Sequence, residues 1–363
     1  MRPSLLFFVD GLADSLVRER SLLGWLSQHR AVVPNLGYSA TQKPQILRGK
    51  TPDDLGYLNL WQYAGPPTVE MHPLGIASTV LRDRVPLIDK VIHKAIEKLG
   101  WSKQNIPFSI ATGFSQIEDD AYGGGDSLVG GSQWRRIVSE HLHNPPKDKF
   151  AISAVHALID QGEERIFVAL TELDHIGHEF GVGTKYAAHA EILDAAMALL
   201  TRDFLARHPL AFVAVFSDHG MTNVTESIRL RSDLFRGRRN IIYPHFIDST
   251  MVRVWCPPGE VQDEVSARLR AIPDVRVVSE EERKIWGVSS PDFGRIIAVC
   301  SPGMVFSPNF FGIKRPRGMH GYHPEVESNW AVVAGNRPFD VHSPKVGVSE
   351  LFKWLKSYAG DSE

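Results

Sequence analysis

Two short runs hold the residues best suited to chemistry: Asp174-His175-Ile176-Gly177-His178 and Ser217-Asp218-His219-Gly220-Met221. Each follows a short apolar stretch with the character of a buried strand. A single carboxylate beside an imidazole is commonplace and says little. Two such pairs at strand ends, with a third carboxylate at Asp10 and a further imidazole at His320, have the composition of a metal shell and point to a metallohydrolase. Asp174 and His178 stand four residues apart, so both reach one ion if a helical turn begins there. Asp218 and His219 are adjacent and reach different ions, or different sides of one, only where the backbone is irregular. Carboxylate and imidazole together suit zinc, and also manganese or iron; no thiolate narrows the choice.

The elements that would position these groups can be read around them. Leu5–Val9 is a short apolar run ending at Asp10-Gly11; Arg165–Leu170 and Leu210–Phe216 are of the same kind, and Trp330–Ala334 is a fourth candidate strand. Helical spacing is expected over Val85–Leu99, which ends at Gly100, and over Lys185–Ala206, which stops before His208-Pro209. Strands alternating with helices predict an α/β fold, a mostly parallel central sheet with helices on both faces. Residues 57–131 carry aromatics, Pro pairs and the Gly123-Gly124-Gly125 run, and read as an irregular insertion near the site. Residues 250–304 read strand, helix (Glu260–Ala271), strand (Val275–Val278), helix (Ser279–Ile285), strand (Arg295–Val299), a small α+β lobe. The catalytic domain would then comprise 1–249 and 305–363.

Bulk properties exclude several classes. With 43% hydrophobic and 23% charged residues among 363, the chain has the make-up of an ordered globular protein. A formal net charge of −2 gives no basic field for a nucleic-acid polymer. The apolar start before Asp10 is too short for a signal-peptide core, no stretch approaches a membrane span, and Cys256 and Cys300 make no disulfide framework. A cytoplasmic location is expected.

Taken with their order and intervals, four motifs carry a resemblance over nearly the whole chain. They are Phe8-Val9-Asp10-Gly11-Leu12, Glu172 through Gly181, Phe216-Ser217-Asp218-His219-Gly220-Met221, and Gly318-Met319-His320-Gly321-Tyr322-His323-Pro324. In these, with Asp248-Ser249-Thr250-Met251 and Pro308-Asn309-Phe310-Phe311-Gly312 beside the small lobe, the chain resembles the alkaline phosphatase superfamily, in its type I phosphodiesterase and nucleotide pyrophosphatase branch. The resemblance implies two divalent ions, most readily zinc with manganese as the alternative, about 4 Å apart in a phosphoryl-transfer clamp. It implies Asp174, His178 and His320 around one ion, and Asp10, Asp218, His219 and the nucleophile oxygen around the other. His175 and His323 have no ligand role in the pattern.

The same resemblance implies a nucleophile ten residues before a Gly that closes a helical segment. Counting back from Gly49 gives Ser39. Thr41 occupies the usual Pro position and Arg48 the usual Thr position, so Thr41 stands as the alternative nucleophile. A hydroxyl suits the role because a divalent ion lowers its pKa toward neutrality. Lys43 or Arg48 could neutralise a non-bridging phosphate oxygen, although Arg48 also reads as part of a solvated helix face. Asn35 could donate to a transition-state oxygen, as an amide nearby does in some relatives, or serve simply as a turn residue. Tyr38, Tyr57, Trp61 and Tyr63 could line a ring-binding slot, or simply pack.

The expected function is hydrolysis of a phosphodiester or nucleotide-pyrophosphate-type bond through a covalent phosphoserine, on a small-molecule substrate. A phosphonate (C–P) hydrolase and a phosphomonoesterase are alternatives on the same scaffold. From a different class, the altered segment around Ser39 leaves room for a catalytically inactive, metal-stabilised binding protein. Sulfatase activity is disfavoured, because Thr41 breaks the Cys/Ser-x-Pro-x-Arg setting it requires.

Overall fold

The computed structural model describes residues 2–63, 114–117, 122, 124–142, 144–236, 242–307, 309, 315–340 and 343–360. The helix expected at Val85–Leu99 lies outside them, as does most of the 57–131 insertion. Contacts divide the chain into two units. The first comprises Met1–Thr51, Asp119–Asn223 and Arg317–Glu363, and the second Pro52–Glu118 and Val224–Pro316.

The first unit is built on a seven-stranded sheet. In chain order its strands are β1 (Ser4–Val9), β2 (Gln28–Val33), β3 (Arg135–Val138), β4 (Arg165–Leu170), β5 (Phe212–Phe216), β6 (Ala331–Gly335) and β7 (Lys345–Gly347). They lie side by side as β7-β2-β6-β5-β1-β4-β3. All neighbours are parallel except at β6, which runs antiparallel to both β2 and β5. The sheet is therefore mostly parallel, as the alternating pattern predicts, and the strand read at Trp330–Ala334 is its exception. Every residue of β1, β4 and β5 is buried, which is why these strands read as unbroken apolar runs instead of alternating ones.

Six helices matter here: α1 (Asp14–Arg20), α2 (Ser39–Arg48), α3 (Asp148–Asp160), α4 (Glu172–Phe180), α5 (Thr184–Arg207) and α6 (Val348–Ala359). Strand side chains alternate between faces, so Leu5, Phe7 and Val9 enter one core with α1, α3, α4 and α5, while Leu6 and Phe8 enter another with α2 and α6. Full burial of such side chains contributes roughly 1.5–3 kcal/mol each, enough to hold the strand register that aims the polar residues beyond the strand ends.

In the second unit, Met251–Val254 pairs antiparallel with His245–Ile247 on one side and Ile296–Cys300 on the other, and Val275–Val277 completes that four-stranded sheet. Helices at Glu260–Arg270 and Glu280–Ile285 follow the order read from the sequence. This unit extends on both sides of the expected 250–304 lobe, because His245–Ile247 joins its sheet and Glu226–Arg229 pairs with Met304–Ser307. No helix among the described residues is long and apolar enough to cross a membrane.

Candidate active site

Sheet order assembles the site. β5, β1 and β4 are parallel neighbours, with Phe8 level with Phe216 and Val9 level with Leu170. The residues just past their carboxyl ends must then emerge side by side: Ser217-Asp218-His219, Asp10, and the start of α4 with Asp174. Ligands of open α/β sheets bind at this edge. Gly11 adopts φ +76°, and a Cβ there would lie 3.2 Å from Asp174, so this glycine lets the chain turn under the neighbouring carboxylate.

The imidazoles complete the cluster. His178 Nε2 lies 3.3 Å from Asp174 Oδ2, one turn along α4. His320 Nε2 lies 3.8 Å from Asp174 Oδ1, and the His320 ring stacks on His219 at 3.5 Å between centroids. His219 Nε2 is 3.4 Å from both Asp10 Oδ1 and Asp218 Oδ2. Two groups offer ligand atoms all within 4.8 Å of one another: Asp174 with His219 and His320, and Asp10 with Asp218 and His219. His219 belongs to both, whereas the sequence reading gave it to one ion; His178 stands beside the first group through Asp174.

Backbone carbonyls orient two of these rings. His219 Nδ1 is 2.8 Å from the Gly220 carbonyl and His178 Nδ1 is 3.0 Å from the Gly318 carbonyl. A carbonyl only accepts, so each Nδ1 carries the proton and each Nε2 turns a lone pair to the cluster. The glycines allow the approach. A Cβ on Gly318 would come within 2.5 Å of the Gly177 carbonyl oxygen, and one on Gly177 would strike Met221.

Ser39 opens helix α2, at the positive end of its dipole, with Oγ 2.7 Å from His219 Nε2. Thr41 is fully buried, and its hydroxyl donates back to the Tyr38 carbonyl at 3.2 Å. The structure thus brings Ser39, not Thr41, to the acids and imidazoles. Lys43, one turn further along α2, sets Nζ 2.7 Å from Asp10 Oδ2. Asn35 donates its amide to Gln45 Oε1 at 2.5 Å. Arg48 is largely buried with Nε 3.4 Å from Asp126, so its reading as a solvated face is corrected. Tyr38 meets His320 edge-on, while Tyr57, Trp61 and Tyr63 belong to the second unit. His175 is half-exposed and lies 3.8 Å from Glu179; His323 is buried, 3.5 Å from Glu325.

Electrostatics follow from packing three carboxylates out of water. Burial first, then the Asp218 charge, pushes the Asp10 carboxyl well up, against the opposing pull of Lys43. Burial works against the Lys43 ammonium too, but the Asp10 charge prevails and raises its pKa. Asp174 goes the other way: burial raises it, yet His178 and the other imidazoles hold it well below the usual carboxylate range. Burial, then neighbouring His219, keeps His320 neutral, whereas Asp174 outweighs burial at His178 and raises it.

A family model, the type I phosphodiesterase / nucleotide pyrophosphatase family, matches residues 126–323, more than half of the chain. The chain belongs to this family. Its members are phosphoric ester hydrolases, and the chain is an enzyme of that class. Among solved structures it is similar to murine ectonucleotide pyrophosphatase/phosphodiesterase 5, an inactive variant in complex with AMP, at 15% identity and a TM-score of 0.65, covering 100% of this chain and 96% of that one. The human counterpart is similar at 13% identity and a TM-score of 0.63, covering 99% and 96%. Phosphonoacetate hydrolase from Sinorhizobium meliloti 1021, in complex with phosphonoformate, is similar at 16% identity and a TM-score of 0.60, again covering 99% and 96%. At these identities the likeness shows the fold. No curated relative matches the chain.

The phosphodiesterase family is typically metal-dependent, and the residues here suit a hard or borderline cation. Asp10 Oδ1, Asp174 Oδ1 and both Asp218 oxygens are buried and accept no hydrogen bond among the described residues. Buried anionic oxygens left so are costly unless a cation meets them. A third acid–imidazole group, Asp148, Glu172 and His189, has its oxygens committed. Asp148 Oδ1 accepts from the Thr171 and Glu172 amides, Glu172 Oε2 accepts from the Asp148 amide, and His189 and Lys147 contact the remaining oxygens. It joins the starts of α3 and α4; of its three members only Glu172 falls in a sequence motif, the run from Glu172 to Gly181.

Proposed function

We propose that this enzyme cleaves a small-molecule phosphodiester or nucleotide-pyrophosphate-type bond with Ser39 as nucleophile and two divalent ions at the strand-end cluster. The observation that carries the reading is Ser39 Oγ at 2.7 Å from His219 Nε2, inside the group that also contains Asp10 and Asp218. Asp174, His178 and His320 would hold one ion, and Asp10, Asp218, His219 and Ser39 the other. Such ions supply charge neutralisation at the transferring group and a lowered pKa for the attacking hydroxyl.

The chain's own residues account for the rest. Ser39 gives its proton to solvent water, and Oγ forms a bond to phosphorus as the bond to the leaving oxygen breaks. The leaving oxygen takes a proton back from the solvent, so the step is proton-neutral. Water then attacks the phosphoserine, restoring the Ser39 hydroxyl and releasing the phosphoryl product. The helix dipole at Ser39 and the Lys43 ammonium favour the anionic group being transferred. Zinc is the favoured ion and manganese the alternative.

A phosphonate hydrolase is the second reading, supported by the fold shared with phosphonoacetate hydrolase. p-Nitrophenyl esters of a phosphodiester and a phosphomonoester, together with phosphonoacetate, separate the readings when assayed with zinc or manganese before and after chelation. The diester should turn over fastest, and chelation should abolish it. Faster release of phosphate from phosphonoacetate would favour the second reading. No turnover of any compound by fully metallated protein would favour a metal-stabilised binding protein.

A further inference from the structure

Lys43 holds Asp10 by one oxygen only. Its Nζ lies 2.7 Å from Oδ2, while Oδ1 turns toward His219 Nε2 at 3.4 Å. The ammonium is confined: 5.4 Å from the centre of the Phe8 ring and 5.7 Å from that of Tyr122, with its side chain 12% exposed. Phe8 is on β1 and packs against Tyr122 at 6.1 Å, so the box around the ammonium is built into the core. Asp174, by contrast, meets the imidazoles of His178 and His320.

We propose that Lys43 grades the two ion positions, making the Asp10–Asp218–His219 position the more weakly held and the last to fill. The inference rests on the two-ion reading above. A fixed positive charge on Oδ2 draws electron density from the carboxylate and repels a divalent cation approaching Oδ1, in a region too dry to screen it. His178 donates Nδ1–H to the Gly318 carbonyl at 3.0 Å, so at Nε2 a cation meets a lone pair once any proton there is displaced. The Lys43 ammonium is not displaced, and the Asp174–His178–His320 position escapes this fixed penalty. Ser39 contacts the graded side through His219. Nucleophile activation would therefore follow the supply of free metal, and the tighter ion alone would not suffice.

The test is a metal titration of the full chain, stripped by chelator and refilled with zinc, followed by calorimetry and by competition with a chromophoric chelator. Wild-type protein should bind two ions with affinities at least about tenfold apart. His178→Ala should remove the tight ion, and Asp218→Ala the weak one. Lys43→Met should tighten the weak ion by about tenfold or more while the tight ion moves less than about threefold. Equal affinities in wild type, a tight ion lost in Asp218→Ala, or an unchanged weak ion in Lys43→Met would each overturn the grading and leave two-ion binding intact. Saturation of wild type at one ion or none would overturn the two-ion reading itself and the grading with it. If Lys43→Met fails to fold, the two alanine variants still decide which position is the tighter.

Discussion

Ser39 Oγ and His219 Nε2 meet at 2.7 Å although 180 residues separate them. The contact joins the first residue of α2 to the end of β5 and selects between the two hydroxyls the sequence offers. Ser39→Ala should lower turnover by at least about a thousandfold while metal content stays near that of wild type. Thr41→Ala should keep most activity, since its hydroxyl is spent on the Tyr38 carbonyl, and should cost only about 1 kcal/mol of stability. Steady-state kinetics with metal analysis of both variants checks this; a dead Thr41→Ala beside an active Ser39→Ala would reverse the assignment.

Metal content should depend on residues far apart in the chain. Asp218→Ala removes two buried oxygens that accept no hydrogen bond among the described residues, and His320→Ala removes a ring 3.8 Å from Asp174. Each should lower the number of ions bound per chain, read by plasma emission spectroscopy after gel filtration. Full occupancy in both variants would contradict the ligand assignment.

What the sequence made legible followed from burial. β1, β4 and β5 are covered on both faces, so they stand out as apolar runs, and the acids just beyond them inherit their positions from parallel pairing. The antiparallel direction of β6 left no such mark, because a strand covered on both faces reads the same whichever way it runs. The resemblance implies a phosphate contact for Lys43; its contact with Asp10 depends on how α2 lies across β1, which no local spacing encodes. The pairing of Asp148 with Glu172 is hidden for a similar reason, each residue being an ordinary first-turn acid of its own helix.

That pairing should matter for stability. Asp148 accepts from the first amides of α4, and Glu172 returns the favour to α3. Asp148→Ala leaves the Glu172 amide without its acceptor and His189 without its nearest one, while the Thr171 amide keeps Ser139 Oγ at 3.0 Å; the change should cost about 1–2 kcal/mol. Asp148→Asn keeps an acceptor and should cost less. Urea denaturation of the three proteins gives the order, and equal midpoints for Asp148→Ala and wild type would rule the role out.

Stability of the second unit should depend on pH through Asp248. Burial pushes this carboxyl up to about 7, against the pull of Arg253 with Nε 3.4 Å away; Asn59 donates to its Oδ1 at 2.5 Å. The ordinary value is 3.8, so between 3.8 and about 7 the folded chain binds more protons than the unfolded one. Unfolding free energy must then fall as pH rises through that window. The contribution is fully present below the lower value and lost above the upper one, up to about 4 kcal/mol. Asp248→Asn removes the proton and its slope. Denaturation midpoints at pH 5 and pH 8 should therefore differ more for wild type than for Asp248→Asn, and an equal difference would remove Asp248 as the cause.

A close backbone approach beside His178 yields the last expectation. A Cβ at Gly318 would lie 2.5 Å from the Gly177 carbonyl oxygen, and backbone cannot swing aside as a side-chain tip can. Gly318→Ala must push the strand pair Gly318–Met319 and Thr222–Asn223 away from α4, and the Gly318 carbonyl that orients His178 moves with it. His320 is two residues on, so both imidazoles beside Asp174 lose their aim. Misaligned outer partners commonly cost about 10–100-fold in metal affinity. Chelator competition should show that loss at the Asp174 position in Gly318→Ala while circular dichroism stays that of the folded wild type. Unchanged affinity would mean that α4 adjusts to the added methyl and that the glycine does not set the ring geometry.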